Sequence, residues 1–420
     1  MRVLVPLTVV LPLLGAGLSL ALSRWDRAQT VLSVVTLGAH LAICVAILVA
    51  VRDGGLAVVN EGAWPAPVGI TLVVDLFSAL MLVTSSFMLL AVLVYANGNP
   101  VTHDRRFKFH PVYLVLTAGV SAALITGDLF NLFVAFEIML ASSYVLITLG
   151  GRRDQVRAGM TYVVVNLLAS LLFLTVVAFC YAATGTVNMA QLAERLVDVP
   201  DWLRSALGLL LLVVFGIKAA IFPLFFWLPD SYPTAPTPVT VIFAGLLTKV
   251  GVYAIIRTQT LLFAPEIGDS SVLLWLAAAT MIVGGLGAIA QDDMKRILSF
   301  HIVGQIGYMI FGLALYTIAG IAGAIFYVAH QIILKTALFL TPVLVEHTAG
   351  TGALHRVNGI LHRAPVIAAL FALPAMSLAG FPPFSGFVGK LALVEAGIGA
   401  GAYVPVGRGL GGSALALFSM

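Results

Sequence analysis

Glu137, Lys218, Lys249, Lys335 and Lys390 each lie inside an apolar run long enough to bury them. Glu137 stands in DLFNLFVAFEIMLASSYVLITLGGRR, and Lys218 and Lys249 bound the segment KAAIFPLFFWLPDSYPTAPTPVTVIFAGLLTK. Lys335 is enclosed in AHQIILKTALFL and Lys390 in FPPFSGFVGKLALVEAG. A lysine near the middle of a bilayer costs about 2.5–3.5 kcal/mol on insertion scales. A structural ion pair or a side chain snorkelling to the interface explains any one of these residues. Neither explains four lysines against one glutamate at similar depth. That excess of positive charge is tolerable where water enters or where a desolvated lysine gives up its proton. The chemistry these residue types can do is proton carriage, with Glu137 modulating Lys218 through its charge.

Two of the lysines sit beside helix breakers. Pro223 follows Lys218 and begins a proline-rich stretch, while Pro382 and Pro383 precede Lys390 within GFPPFSG. Proline removes a backbone donor, and the carbonyls it frees must find partners inside the membrane. Paired broken helices in two halves of a chain point to inverted repeats with a site at each break. His301 and His330 also fall in apolar spans. A lone membrane histidine is more often a helix–helix hydrogen bonder, but between the lysine-bearing halves these two can carry protons. Ser299, Gln305, Tyr308, Gln331 and Thr248 are placed to hold water beside them. GGLG at 284–287 reads as a helix-packing feature, since no strand precedes it.

These side chains need elements that span a bilayer, and the composition supplies them. Of 420 residues 61% are hydrophobic and 10% charged, against about 25% charged in a soluble domain. Mean hydropathy is +1.08. The fold class is therefore an all-α polytopic membrane protein, a bundle with discontinuous helices. Apolar runs predict spans at 3–22, 29–51, 69–96, 111–127, 129–149, 158–183, 203–228, 237–257, 272–290, 297–316, 318–345 and 365–399, with a thirteenth starting near 409. The first run is too long for a signal core and reads as a retained helix. Loops after odd-numbered spans hold twelve Lys and Arg, among them Arg24, Arg152, Lys295 and Arg356. Loops after even-numbered spans hold four, Arg52, Arg195, Arg204 and Arg257. The positive-inside rule then puts the N-terminus outside a prokaryotic plasma membrane. Asp75 falls at the outer end of the third span, as an interfacial or subunit-contact residue. Glu346 and Glu395 come late in their spans, where water can reach them. Cys44 and Cys180 read as small core residues. No carboxylate–carbonyl cluster suits a hard cation, so neither a metal centre nor a cofactor is implied. A net charge of +4 with dispersed basic residues implies no nucleic-acid partner.

Five blocks carry a resemblance: DLFNLFVAFEIMLASSYVL, KAAIFPLFFWLPDSYPTAPTPVTVIFAGLLTKVGVYAIIR, DDMKRILSFHIVGQIGYM, HQIILKTALFLTPVL and LAGFPPFSGFVGK. Together they resemble the antiporter-like subunit family, the large membrane subunits of Mrp-type multisubunit cation/proton antiporters and of respiratory complex I. The NLFVAFEIML form is most similar to the D-subunit branch of the antiporters. The resemblance implies fourteen helices. It implies N-terminal helices over 1–110 and inverted five-helix units over 111–258 and 259–420, the second incomplete because most of the last two helices are missing. It implies Glu137 as the fifth span's carboxylate, Lys218 as its broken-helix partner, Lys249 as a relay and Lys390 as the terminal residue. It also implies a transporter subunit rather than an enzyme, with H+, Na+, lipid and other membrane subunits as partners. A redox-driven proton pump of the complex I or membrane hydrogenase type is the alternative. Some relatives carry histidine where this chain has Gln305, which takes a titratable group out of the tenth span here.

Overall fold

A computed structural model describes residues 1–98, 106–263 and 271–400 of the chain. The helices are α1 (Leu4–Ala21), α2 (Asp26–Val51), α3 (Leu76–Ala96), α4 (Arg106–Ile125), α5 (Leu129–Ile147), α6 (Arg153–Thr184), the short α7 (Met189–Arg195) and α8 (Asp201–Ala219). After a break come α9 (Trp227–Ser231) and α10 (Thr237–Leu261). Then follow α11 (Ser271–Ile289), α12 (Met294–Ala314), α13 (Ile318–Ala349), α14 (Pro365–Ala379) and α15 (Ser385–Ala400). Among the described residues ten helices are long and apolar enough to cross a membrane, and Phe109–Ile125 and Pro365–Ala379 are shorter apolar helices. The thirteenth span expected near 409 lies outside the described residues.

One boundary is corrected, and the two expected helix breaks are located. The third span starts at Leu76 rather than 69, because the residues before it form a hairpin. There β1 (Ala57–Asn60) pairs antiparallel with β2 (Thr71–Val74), with Ala57 opposite Val74. The β-branched run TLVV favours the pleated surface over a helix. The seventh span is not continuous through 228, since helix stops at Ala219. The twelfth stops at Ala379 and resumes at Ser385.

The chain packs as two compact units. The first holds Met1–Phe215 with Thr234–Ile242 and Tyr253–Phe263. In it α1 packs on α2 and α4, α2 on α3, and α4 on α5, which in turn meets α6. Buried His40 ties three of these helices together, its Nδ1 2.8 Å from Ser86 Oγ and its Nε2 3.0 Å from Ser121 Oγ. Both cysteines are free and buried.

At one end of this unit Arg257 of α10 reaches the cap of α3. Its Nη1 and Nη2 donate to Asp75 at 2.6 and 2.7 Å, and Nη2 also donates to Ser78 Oγ at 2.8 Å. Tyr253 OH, beside them, donates to the Leu124 carbonyl at 2.8 Å. Arg257, expected in a loop, is instead a helical residue with its charge matched inside the unit.

The second unit holds Gly216–Pro233, Phe243–Val252 and the chain from Ala264 onward. Here α11 packs closely on α12, α12 on α13, and α13 on α14 and α15. A Cβ on Gly284 would fall 2.2 Å from the Gly304 nitrogen, so the GGLG segment does let two helix backbones touch.

One spacing recurs along the chain. Helices α5 and α6 start at 129 and 153, and α12 and α13 start at 294 and 318, each 165 residues later. Asp128 and Asp293 cap α5 and α12 by accepting from the third backbone N–H beyond them. Gly185 and Gly350 close α6 and α13 in the left-handed conformation that glycine adopts without a Cβ clash.

Candidate functional site

In the first unit Glu137 sits near the middle of α5, on a helix started by the Asp128 cap. Its neighbour Phe136 meets the rings of Phe173 and Phe215. The Glu137 Oε1 atom is buried and has no hydrogen-bond partner among the described residues. A carboxylate oxygen in that position needs water or a donor, because an unsatisfied buried acceptor costs about 1–3 kcal/mol.

The other sequence candidates all fall in the second unit. Lys218, 7% exposed, is the penultimate residue of α8. The helix ends because Ala220 turns to φ 61°, a left-handed conformation that L-residues adopt at a cost of roughly 1–2 kcal/mol. Pro223 lies in the non-helical stretch that follows. The freed carbonyls are capped locally. The Trp227 indole donates to the Ile217 carbonyl at 3.1 Å, and Ile221 N donates to Gly216 at 3.0 Å. Phe222 N donates to Thr280 Oγ1 at 3.1 Å. Gly251 holds α10 against this break, since a Cβ there would lie 2.8 Å from Ala219 N and 3.0 Å from the Lys218 carbonyl carbon.

Lys249 is 1% exposed, and its Nζ donates to the Ala244 carbonyl at 2.6 Å. That carbonyl is reachable because Phe243–Leu247 forms a wide π turn inside α10, a feature that recurs at functional sites. α13 packs against the same turn. On α13, Lys335 is 0% exposed and its Nζ has no partner among the described residues. Lys335 lies within electrostatic reach of Lys249, Lys390, His301 and His330.

The second break is wired to α13. Pro382 and Pro383 lie in the turn between α14 and α15, after Gly380 at φ 89°. His330 Nδ1 is 3.2 Å from Ser385 Oγ, which is 3.5 Å from Ser377 Oγ. Gly386 N donates to Ser377 Oγ at 3.2 Å. Lys390 Nζ donates to the Ala379 carbonyl at 3.1 Å and lies 5.2 Å from the centre of the Tyr308 ring. Gln305 accepts from Tyr327 and, at 3.4 Å, from Gln331 Nε2. His301, Gln305, Tyr308 and Lys390 line a common cavity of about 320 Å³.

Sequence reasoning does not single out Ser377, Ser385, Tyr327 or Gly251. Ser385 carries a visible signal, a hydroxyl beside the proline pair, whereas Gly251 and Tyr327 act through contacts no local pattern announces. The expected solvated carboxylates divide. Glu395 is exposed, but Glu346 is paired with Lys295 at 2.7 Å.

A bundle with two interrupted helices, a buried lysine at the first break and a half-buried one after the second, with further basic groups between them in the chain, defines a multi-pass transport-type membrane protein. The family model described as NADH:quinone oxidoreductase/Mrp antiporter, TM, matches residues 126–416. The chain belongs to that family. A relative from Alkalihalophilus pseudofirmus, named as the D subunit of a Na(+)/H(+) antiporter, is 42% identical over all of this chain and 86% of its own length. Among solved structures, a chain of the Mrp complex from Dietzia sp. superposes at TM-score 0.91 with 38% identity, covering 100% of this chain and 78% of that one. A chain of an archaeal membrane-bound sulfane sulfur reductase superposes at TM-score 0.92 with 29% identity, covering 100% of this chain and 85% of that one.

Proposed function

We propose that the chain is the proton-translocating subunit of a multisubunit Na+/H+ antiporter in a prokaryotic plasma membrane, with its N-terminus outside. One observation carries the reading. Lys249, Lys335 and Lys390 lie in electrostatic reach along the second unit, and none has a carboxylate partner among the described residues. Such groups can exchange protons but offer no ligands to a hard cation. The relative named as an antiporter D subunit and the match to a chain of the Mrp complex support the same reading and imply further membrane subunits as partners.

In this reading Glu137 sets the charge state of Lys218 at the first break. A proton then passes through Lys249, the pair His330 and Lys335, and Lys390, with His301 beside the last step. Each break brings polar hydroxyls beside non-helical backbone, Thr280 at the first and Ser377 and Ser385 at the second, where water can order. The recurring spacing of helices, caps and left-handed glycines supports the division into repeats at 111–258 and 259–420. An odd number of spans per repeat makes the two copies inverted.

The test is sodium-dependent proton flux in inverted vesicles. Glu137→Gln and Lys218→Ala are expected to lose most of the flux, and wild-type flux in either overturns the relay. The likeness to a chain of the sulfane sulfur reductase complex favours one second reading, a subunit of a redox-driven pump. Purification separates the two: iron–sulfur or flavin absorbance in the native complex supports the second, and small colourless membrane subunits support the first.

A further inference from the structure

The cavity of about 320 Å³ in the second unit is walled by Met281, Leu298, Leu338 and Phe371, with His301, Gln305, Tyr308 and Lys390 as its polar side chains. It stands at the small end of ligand-sized pockets and has their usual make-up, apolar walls with a few convergent polar groups. Gln305 already accepts two hydrogen bonds. Lys390 does not use its full capacity. An ammonium carries three donors, and one of them goes to Ala379.

Among the described residues the unit's own carboxylates are paired, capping or exposed. Glu346 is bound to Lys295, Asp230 to Arg296, and Asp293 to the first turn of α12. Asp292 and Glu395 face outward. The positive charge at Lys390 is therefore unmatched among the described residues. The rim of the cavity is apolar and open: Ile282 and Leu286 of α11 and Leu370 and Leu373 of α14 are exposed next to the lining residues. A bilayer component can reach Lys390 from that side.

We propose that this cavity binds a single-chain carboxylate amphiphile from the membrane, its carboxylate on Lys390 and its chain along Met281, Leu338 and Phe371. The volume equals about ten water volumes. That suits one medium-length acyl chain and is too small for a two-chain phospholipid. A carboxylate accepts from an ammonium through charge-assisted hydrogen bonds, which neutralises a cation that is costly at this depth. Occupancy removes Lys390 from proton exchange, so the ligand is an inhibitor; that consequence rests on the proton reading above, whereas binding does not.

The experiment measures retention of labelled decanoate by the whole complex in phosphatidylcholine vesicles, above protein-free vesicles. One saturable site is expected. Lys390→Gln weakens it roughly ten-fold or more, the scale of one charge-assisted hydrogen bond, while Lys390→Arg retains it. Ala375→Leu, which fills the cavity and leaves Lys390 in place, weakens it as well. Methyl decanoate, inorganic phosphate and phosphatidylglycerol do not compete. Unchanged binding in Lys390→Gln or Ala375→Leu overturns the site. Equal competition by methyl decanoate shows an apolar cleft only, and competition by phosphate or phosphatidylglycerol shows a phosphate site; each overturns the carboxylate assignment. If Lys390→Gln fails to assemble, Ala375→Leu decides alone.

Discussion

Lys249 and Lys335 are both buried, yet they stand differently in the molecule. Lys249 has the Ala244 carbonyl at 2.6 Å, so one of its donors is satisfied within the protein. Lys335 has no partner among the described residues, and the side-chain atoms Gln331 Oε1 and His330 Nε2 on the same helix are also unsatisfied there. Buried polar atoms in this state are costly unless water or another group satisfies them. A lysine kept under those conditions lowers stability, and removing it should raise it. Lys335→Met is expected to stabilise the complex by on the order of 2 kcal/mol, the cost of a central lysine, and to lose sodium-driven proton flux. Lys249→Met should gain less, because it leaves the Ala244 carbonyl without its donor. Thermal unfolding followed by intrinsic fluorescence, with flux measured on the same preparations, checks both. A Lys335→Met complex that transports normally would remove this residue from the proton path.

At the scale of elements, α10 is fixed at two places. Its wide π turn meets α13 in the second unit, and its far end is held in the first unit by Arg257 on Asp75. Asp75 is the cap residue just before α3. Burial alone would raise its carboxyl. The hydrogen bonds and charge of Arg257, with the backbone and hydroxyl of Ser78, outweigh that and lower it from 3.8 to about 2. A carboxyl depressed on folding contributes stability that is complete above its unfolded value and is lost as pH falls through the folded one. Asp75→Asn should therefore destabilise the protein by roughly 2–4 kcal/mol at pH 7. The two proteins should converge as pH falls from about 4 toward 2, and a gap that persists unchanged at pH 2 would show the effect is not ionic. Both charges were visible in the sequence, but their pairing was not. Asp75 and Arg257 are 182 positions apart, and nothing local selects one partner for the other. The helix breaks were legible for the opposite reason, since proline acts on its own backbone. The π turn at Phe243–Leu247 left no trace, because FAGLL is ordinary helical sequence. The hairpin before α3 was missed because TLVV is as apolar as the span it leads into.

For the whole molecule, hydropathy exposed the spans, while the repeat proposed above rests on the spacing of caps and helix starts. The repeat makes a topological claim. The segment after α6 and the segment after α13 follow the same left-handed glycine, at Gly185 and Gly350. If five spans separate them, they face opposite sides of the membrane, the first outside and the second in the cytoplasm. The chain suits a labelling test, because its native thiols Cys44 and Cys180 are buried and contribute little background. Glu194 and His355 are exposed in these two segments. Glu194→Cys should react with an impermeant maleimide in intact cells, and His355→Cys only in inverted vesicles. Together the two results fix the orientation of the N-terminus and the parity of the repeat. Labelling of both from one side would mean an even number of spans between them and would end the inverted-repeat reading, and with it the equivalence of the two broken helices.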